Sequence, residues 1–178
     1  MLIECDKEGY LKYIKDDPVR PDLFDDDAVR FDGNFRVYAD IDRQGFGINV
    51  NAIICVVIAP FIPQNEKTIQ DFASGDLKSL AIIQSEEGGS FEPPTTAGKV
   101  LCPYSLWSYE KGAGRRLVNS LLEAVPIMYP DVDYVITMSP PTKMAMNFHT
   151  SNGASMLSPN KDTVNYEYEI ENYGVSIH

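Results

Sequence analysis

The spacing of hydrophobic positions along the chain predicts two kinds of strand. Residues 35–40 alternate apolar and polar side chains, as a half-buried strand does. Residues 51–59, which are apolar from Ala52 onward, are typical of a fully buried strand. A turn is expected between them, and the runs at residues 100–108 and 133–138 predict two more apolar strands. Two shorter strands follow near the end of the sequence, at residues 154–157 and 164–170.

Three segments are predicted to be helices, and two of them show the spacing of apolar residues that makes one buried face. Residues 8–14 carry apolar side chains at that spacing. Residues 143–151 follow two prolines and a hydroxyl that can cap a helix, and they end at Gly153, a residue type that commonly terminates helices. The third helix follows Gly114 and has the strongest stripe, formed by Leu117, Val118, Leu121, Leu122 and Val125.

The order of these elements predicts an α/β fold in one domain that spans residues 1–178. The strand–helix–strand unit implies that the strands at residues 100–108 and 133–138 are parallel and joined by a right-handed connection. The hairpins on either side add antiparallel strands, so we expect a mixed sheet with helices on its faces. The remaining segments are expected to be loops at residues 22–27 and 86–96 and a short helix at residues 68–72.

Composition narrows the class of protein. A net charge of −11 argues against nucleic-acid binding, because that affinity comes mostly from neutralising phosphates. The three cysteines are widely spaced and suit reduced thiols better than a disulfide framework or a zinc site. The longest apolar run is too short to span a bilayer, and we find no signal peptide, so we expect a soluble, cytoplasmic protein.

A glycine turn joins the strand at residues 100–108 to the helix that follows it. Its sequence is Gly112-Ala113-Gly114, followed by Arg115 and Arg116. A strand that enters a helix through glycines leaves backbone N–H groups without partners at the positive end of the helix dipole. Such a turn can bind an anion, and we take the anion to be the pyrophosphate of a nucleotide-like cofactor.

This layout, with residues 110–116 at the strand–helix turn, resembles the acetyltransferases of the GNAT superfamily. The resemblance implies a mostly antiparallel sheet with helices on both faces, in which the two parallel strands splay apart. An acyl-CoA would place its pyrophosphate on the turn and its pantetheine and acyl group between the strands. The residues expected to contact it are Leu106, Ser108, Gly112, Ala113, Gly114, Arg115, Arg116, Thr142 and Asn147, and no metal is expected.

A second resemblance covers residues 51–168. The segments Asn147-Phe-His149, Asn152-Gly-Ala154 and Asn165-Tyr-Glu-Tyr168 occur in that order and look like the catalytic domain of malonyl-CoA decarboxylase, itself a GNAT relative. In that family a histidine pairs with a strand serine. The resemblance puts the histidine at His149 and the serine either at Ser105 or at the position of Trp107.

His149 is the first candidate for catalysis. Its position alone also fits a half-buried histidine bonded to backbone. The GNAT resemblance places it where that family has a tyrosine that protonates the leaving CoA thiolate, and histidine titrates near neutrality. In a decarboxylase it would protonate or orient the enolate. Ser105 and Tyr109, on the strand end, could polarise the thioester carbonyl or simply satisfy backbone groups.

Three functions follow from these resemblances. The first is an acyl-CoA-dependent N-acetyltransferase that acts on a small amine or a protein amine. The second is a malonyl-CoA decarboxylase-like lyase that uses His149 and Ser105, and the third is a non-catalytic CoA-binding protein. We rank transfer first, because the decarboxylase serine has two candidate positions. We expect acyl-CoA and an amine as partners, no nucleic acid or membrane, and a monomer or homodimer.

Overall fold

The computed structural model describes residues 1–18, 34–44, 47–59, 69–70, 99–159 and 163–170. The first half contains β1 (Leu2–Cys5), α1 (Lys7–Tyr13), a 3-10 turn (Ile14–Asp16), β2 (Phe35–Gln44) and β3 (Gly47–Ala59). The second half contains β4 (Lys99–Ser108), α2 (Ala113–Met128), β5 (Val132–Ser139), α3 (Lys143–Ser151), β6 (Ser155–Pro159) and β7 (Val164–Tyr168).

The strands within the described residues form one seven-stranded sheet in the order β1-β2-β3-β4-β5-β7-β6. Neighbouring strands are antiparallel except β4 and β5, which are parallel and joined by α2. The predicted mixed sheet with one parallel pair is therefore confirmed. The crossover places α2 on one face of the sheet, over β2, β3 and β4.

Two apolar clusters cover the two faces of the sheet. On one face, Tyr10 of α1 packs edge-on against Phe35 of β2, with ring centroids 5.6 Å apart. On the other face, the predicted stripe of α2 is buried against β2, β3 and β4, and Leu117 and Val125 are fully covered. The helical stripe therefore fixes which side of α2 faces the sheet.

Side chains and a glycine define the helix starts. The Asp6 carboxylate accepts a hydrogen bond of 2.8 Å from the N–H of Gly9, at the start of α1. The Thr142 hydroxyl accepts one of 3.2 Å from the N–H of Ala145, at the start of α3. Gly112 precedes α2 with φ of 84°, a left-handed conformation that favours glycine.

Two details differ from the sequence-based expectation. Strand β1 is not predicted, because a four-residue edge strand with only partial burial has too few positions to show a period. The predicted turn after residue 40 is shorter than expected, since the β2–β3 ladder continues to the pair Gln44 and Gly47. Within the predicted helix at residues 68–72, the described residues Ile69 and Gln70 are helical. The predicted loops at residues 22–27 and 86–96 lie outside the described residues.

Strands β4 and β5 separate soon after they begin. Their register pairs are Lys99 with Val132, Val100 with Tyr134, and Leu101 with Val135. Beyond these pairs, the Thr137 hydroxyl donates to the Pro103 carbonyl over 3.2 Å, so that carbonyl faces β5. A strand residue points its N–H and C=O to the same edge, and proline has no N–H. Because residue 103 is a proline, the edge of β4 that faces β5 lacks an N–H that could continue the parallel ladder.

The two glycines of the turn should respond differently to alanine. Gly112→Ala forces a Cβ into the left-handed region, which costs about 1–2 kcal/mol, although no described atom lies within 4 Å of that Cβ. Gly114→Ala places its Cβ at an ordinary 3.7 Å from Leu106 and favours the helix, so stability should be unchanged or slightly higher. Urea unfolding of both variants measures this difference, and equal losses would contradict the assigned conformation of Gly112.

Candidate functional site

A cavity of about 400 Å³ lies where β4 and β5 part. Residues from β4, β5, α2, α3 and β7 line it, and most of that surface is apolar, including Leu106, Val118 and Phe148. Within the described part of the chain, no Lys, Arg, Asp or Glu contributes to this lining. An apolar cavity with a few polar groups is the usual form of a small-molecule site. Its polar side chains include Ser105, Ser108, Thr137, Ser139, His149 and Tyr168.

His149 is held through both of its ring nitrogens. Nε2 lies 2.6 Å from the Ser139 hydroxyl oxygen, and Nδ1 lies 2.8 Å from the Tyr168 hydroxyl oxygen. The Tyr166 ring stacks on the imidazole with centroids 4.6 Å apart, and the Phe148 ring meets it edge-on at 5.3 Å. Contacts from α3, β5 and β7 thus fix both the position and the plane of the ring.

Burial lowers the pKa of His149 from 6.5 to about 4. Near neutral pH the ring is therefore uncharged and carries a single proton. With the proton on Nδ1, the ring donates to Tyr168 and accepts from Ser139; with the proton on Nε2, both bonds reverse. Either tautomer satisfies all three groups, so a proton can move along this chain without leaving a buried charge.

The glycine turn leads directly into α2. The N–H of Ala113 donates to the Glu110 carbonyl over 3.1 Å, and the N–H of Arg116 donates to the Gly112 carbonyl over 3.1 Å. The bond from Arg116 is the first one inside the helix. The amide of Ala113, which the sequence places among the anion-binding groups, is therefore occupied by the turn itself.

Gly114 and Arg115 precede that first helical bond. Their N–H groups have no carbonyl one turn back within α2. Gly114 also lines the cavity, beside Leu106 and Ser108, which are two of the residues expected to contact an acyl-CoA. The turn therefore presents backbone donors and the positive end of a helix at the edge of the cavity.

The two arginines after the turn have different partners. Arg116 forms an ion pair with Asp40 at 3.2 Å and a second with Glu110 at 3.4 Å. Burial favours the neutral form of Asp40, yet the amino-terminal ammonium and Arg116 hold the pKa of this carboxyl below its usual value. Arg115 donates to the Ser151 hydroxyl over 2.9 Å, and among the described residues no carboxylate pairs with it. Of the two arginines predicted to bind phosphate, Arg116 is paired with two carboxylates, whereas the positive charge of Arg115 is not neutralised by a described carboxylate.

Ser105 lines the cavity but does not pair with His149. Its hydroxyl donates to the carboxylate of Asp17, a buried residue that follows the 3-10 turn. The serine that meets His149 is Ser139, at the end of β5. The predicted His149–Ser105 pair is therefore wrong, because Ser105 on β4 is directed to the segment after α1 while β5 carries Ser139 up to α3.

Tyr109 lies outside the cavity lining. Its hydroxyl accepts a hydrogen bond of 3.0 Å from the Trp107 indole and donates one of 2.9 Å to Asp16. Burial, together with the Asp16 carboxylate, raises the pKa of Tyr109 to about 12. The predicted catalytic role of Tyr109 has no support from this position.

Two predicted CoA contacts also lie outside the lining. Thr142 uses its hydroxyl to cap α3, and the Asn147 side chain is exposed on that helix. Both residues remain candidates only for the part of a ligand that extends beyond the cavity.

Sequence analysis missed Ser139 and Tyr168 as site residues. Tyr166 and Tyr168 fall in the predicted strand at residues 164–170, where strand packing alone would account for them. Their two-residue spacing puts both on the same face of β7, and both contact His149. Ser139 precedes two prolines at a strand end, a position that marks a boundary but gives no indication of its partner.

Three further observations concern metal ligands, cysteine thiols and membrane-spanning helices. Within the described residues, no group of His, Cys, Asp and Glu could hold a metal ion. Cys5, Cys55 and Cys102 are free thiols, and burial raises the pKa of Cys102. Among the described helices, none combines the length and apolar character needed to cross a bilayer.

The lowered pKa of His149 has a consequence for stability. Between about pH 6.5 and pH 4 the unfolded chain binds a proton at this residue that the folded protein does not, so stability should fall as pH decreases through that interval. The free energy of unfolding, measured by urea between about pH 7 and pH 4, should decrease more for the wild type than for His149→Gln. Equal decreases would show that the folded imidazole titrates normally.

Solved structures share this architecture at low sequence identity. Arabidopsis thaliana NAA60 in complex with acetyl-CoA matches with a TM-score of 0.56 and 11% identity, over 96% of this chain and 98% of that one. The apo form of an agmatine N-acetyltransferase mutant matches with a TM-score of 0.54 and 8% identity, over 94% of this chain and 98% of that one. Malonyl-CoA decarboxylase from Cupriavidus metallidurans matches with a TM-score of 0.53 and 11% identity, over 97% of this chain and 62% of that one.

No protein-family model matches the chain, and a search of curated proteins finds no match. The structural neighbours include GNAT acetyltransferases, and they share with this chain a mostly antiparallel sheet with one parallel pair. At these identities the likeness is one of fold. The chain has a GNAT-like fold, as its sequence predicts.

Proposed function

We propose that this protein is an acyl-CoA-dependent acyltransferase that moves an acyl group from CoA to an amine. The observation that carries the proposal is a continuous path along the cavity, from the glycine turn at the start of α2 to the Ser139–His149 pair at the end of β5. A CoA thioester has an anionic end and a reactive apolar end, and the two ends of this path suit them.

The turn suits the anionic end of the ligand. The N–H groups of Gly114 and Arg115 and the positive end of α2 attract phosphate oxygens. The Arg115 guanidinium can leave the Ser151 hydroxyl for a phosphate at little cost, because that bond is exposed. Arg116 is less free to do so, since two carboxylates compensate its charge.

The splayed strands suit the pantetheine and acyl portion. Past Leu101 the parallel ladder ends, so the facing edges of β4 and β5 present backbone groups that can pair with the two amides of pantetheine. The apolar side chains of Leu106, Val118 and Phe148 cover the arm and keep water from the thioester.

His149 and Ser139 suit the reacting end. Amide formation removes a proton from the amine and delivers one to the CoA sulfur. A neutral imidazole bonded to a hydroxyl can accept one proton while it releases another, which avoids a buried imidazolium. His149 therefore acts on the leaving thiolate, with Ser139 beside it.

One observation favours a second function. The reacting end of the cavity contains a histidine bonded to a serine and several hydroxyls but no carboxylate among its described residues. A hydroxyl-lined pocket can bind the carboxylate of malonyl-CoA, and His149 can protonate the enolate that forms when carbon dioxide leaves. Malonyl-CoA decarboxylation is therefore the alternative that the same experiment must test.

The two functions differ in their need for an amine. The protein is incubated with acetyl-CoA and a mixed amine pool, and separately with malonyl-CoA alone, and products are identified by mass spectrometry. We expect an acylated amine and a matching amount of free CoA in the first tube, and no acetyl-CoA in the second. His149→Ala should reduce this rate at least about 100-fold, whereas Thr150→Ala, which removes an exposed hydroxyl from the same helix, should not.

Conversion of malonyl-CoA to acetyl-CoA without an amine would reject transfer and support decarboxylation. If neither substrate turns over, acyl-CoA chemistry is excluded for these acyl groups. Full activity in His149→Ala would remove the assigned role of the imidazole.

A further inference from the structure

Ser139, His149 and Tyr168 form a hydrogen-bonded series with the imidazole in the centre. The Ser139 hydroxyl lies 2.6 Å from Nε2, and the Tyr168 hydroxyl lies 2.8 Å from Nδ1. A hydroxyl nucleophile, a base in contact with it and a third group that orients the base are the components of covalent catalysis by serine. We propose that Ser139 is a nucleophile that takes the acyl group from CoA as a serine ester, so that transfer proceeds in two steps. This inference rests on the proposed function, since both require acyl-CoA in the cavity.

The surroundings of Ser139 suit a nucleophile. It lines the cavity, although only 7% of its surface is exposed, so its hydroxyl is accessible to a bound acyl group more than to bulk water. Stacking by Tyr166 and the edge contact of Phe148 prevent the imidazole from turning away. An acyl carbon placed near the Ser139 oxygen would therefore meet a base that is already aligned.

In the first step, the Ser139 oxygen attacks the thioester carbonyl carbon, a C–O bond forms and the C–S bond breaks. The serine proton passes to Nε2 of His149 and from there to the departing sulfur, which leaves as the CoA thiol. The step uses the tautomer with the proton on Nδ1, in which Nδ1–H donates a hydrogen bond to the Tyr168 hydroxyl. Nε2 is then free to receive the serine proton. Because burial disfavours a charged imidazole, the proton must pass to sulfur as the C–S bond breaks.

In the second step, an amine attacks the ester carbonyl carbon and the C–O bond to Ser139 breaks. The amine proton passes through His149 to the serine oxygen, which regenerates the hydroxyl. Water can replace the amine and yields the free carboxylic acid. The arrangement therefore predicts a slow acyl-CoA hydrolysis in the absence of an amine.

A two-step mechanism can be tested through CoA exchange. The protein is mixed with acetyl-CoA and deuterium-labelled free CoA, without any amine, and the label in acetyl-CoA is measured by mass spectrometry. A serine ester returns its acyl group to any CoA that binds, so the label should appear in acetyl-CoA. Direct attack by an amine gives no exchange, because no acyl group leaves CoA until the amine is present.

Variants separate a nucleophile from a structural hydroxyl. Ser139→Ala should lower the exchange rate at least about 100-fold, while Ser155→Ala, an exposed serine on β6, should retain it. Ser139→Cys keeps a nucleophile and should yield an acetylated peptide containing position 139 after acid quenching. Tyr168→Phe removes the orienting hydroxyl and should slow exchange without weakening acetyl-CoA binding.

The outcomes distinguish this inference from the proposed function. If the wild type releases CoA with amines but shows no exchange, and Ser139→Cys gives no acetylated peptide, Ser139 is not a nucleophile and the transferase proposal stands. Exchange at the wild-type rate in Ser139→Ala would also overturn the inference. If the wild type shows neither exchange nor amine-dependent release, both proposals fail.

Discussion

The early end of the β4–β5 ladder is the constraint on which the rest of the site depends. Parallel neighbours normally lie about 4.8 Å apart, which leaves no space for a ligand between them. Here the pairing stops after Leu101 with Val135, and the proline at position 103 withholds a donor from the edge that faces β5. The single hydroxyl bond from Thr137 to Pro103 spans the gap at its narrow end. The cavity between the two strands follows from this divergence, and residues of α3 complete its lining.

Charge is kept away from the reacting end of that cavity. Asp16 and Asp17 are bonded to Tyr109 and Ser105 through hydroxyls, and the Arg116 guanidinium is paired with carboxylates. The imidazole of His149 is itself uncharged near neutral pH, because burial lowers its pKa to about 4. The proposed chemistry is therefore proton movement along neutral groups, with the phosphate charges of the ligand confined to the start of α2.

Much of the fold follows from local sequence patterns, whereas the partner of the histidine does not. The stripe from Leu117 to Val125 predicts α2, and the crossover between two apolar strands predicts their parallel pairing. The resemblance to known families places His149 near the thioester. Ser139 could not be chosen in the same way, because its contact with His149 depends on how far β5 extends beside α3. The Ser105–Asp17 bond joins residues 88 positions apart and leaves no local pattern.

The most direct test of the central claim, that acyl-CoA binds in the splayed cavity, is the thermal unfolding midpoint as a function of acetyl-CoA concentration. Binding to the folded state alone stabilises it by about 2.7 kcal/mol at roughly one hundred times Kd. The wild type and Ile127→Phe, an exposed change on α2, should show a rising Tm, whereas Val118→Phe, which fills the cavity, should not. No shift in the wild type well above micromolar concentrations, or equal shifts in all three proteins, would contradict this account.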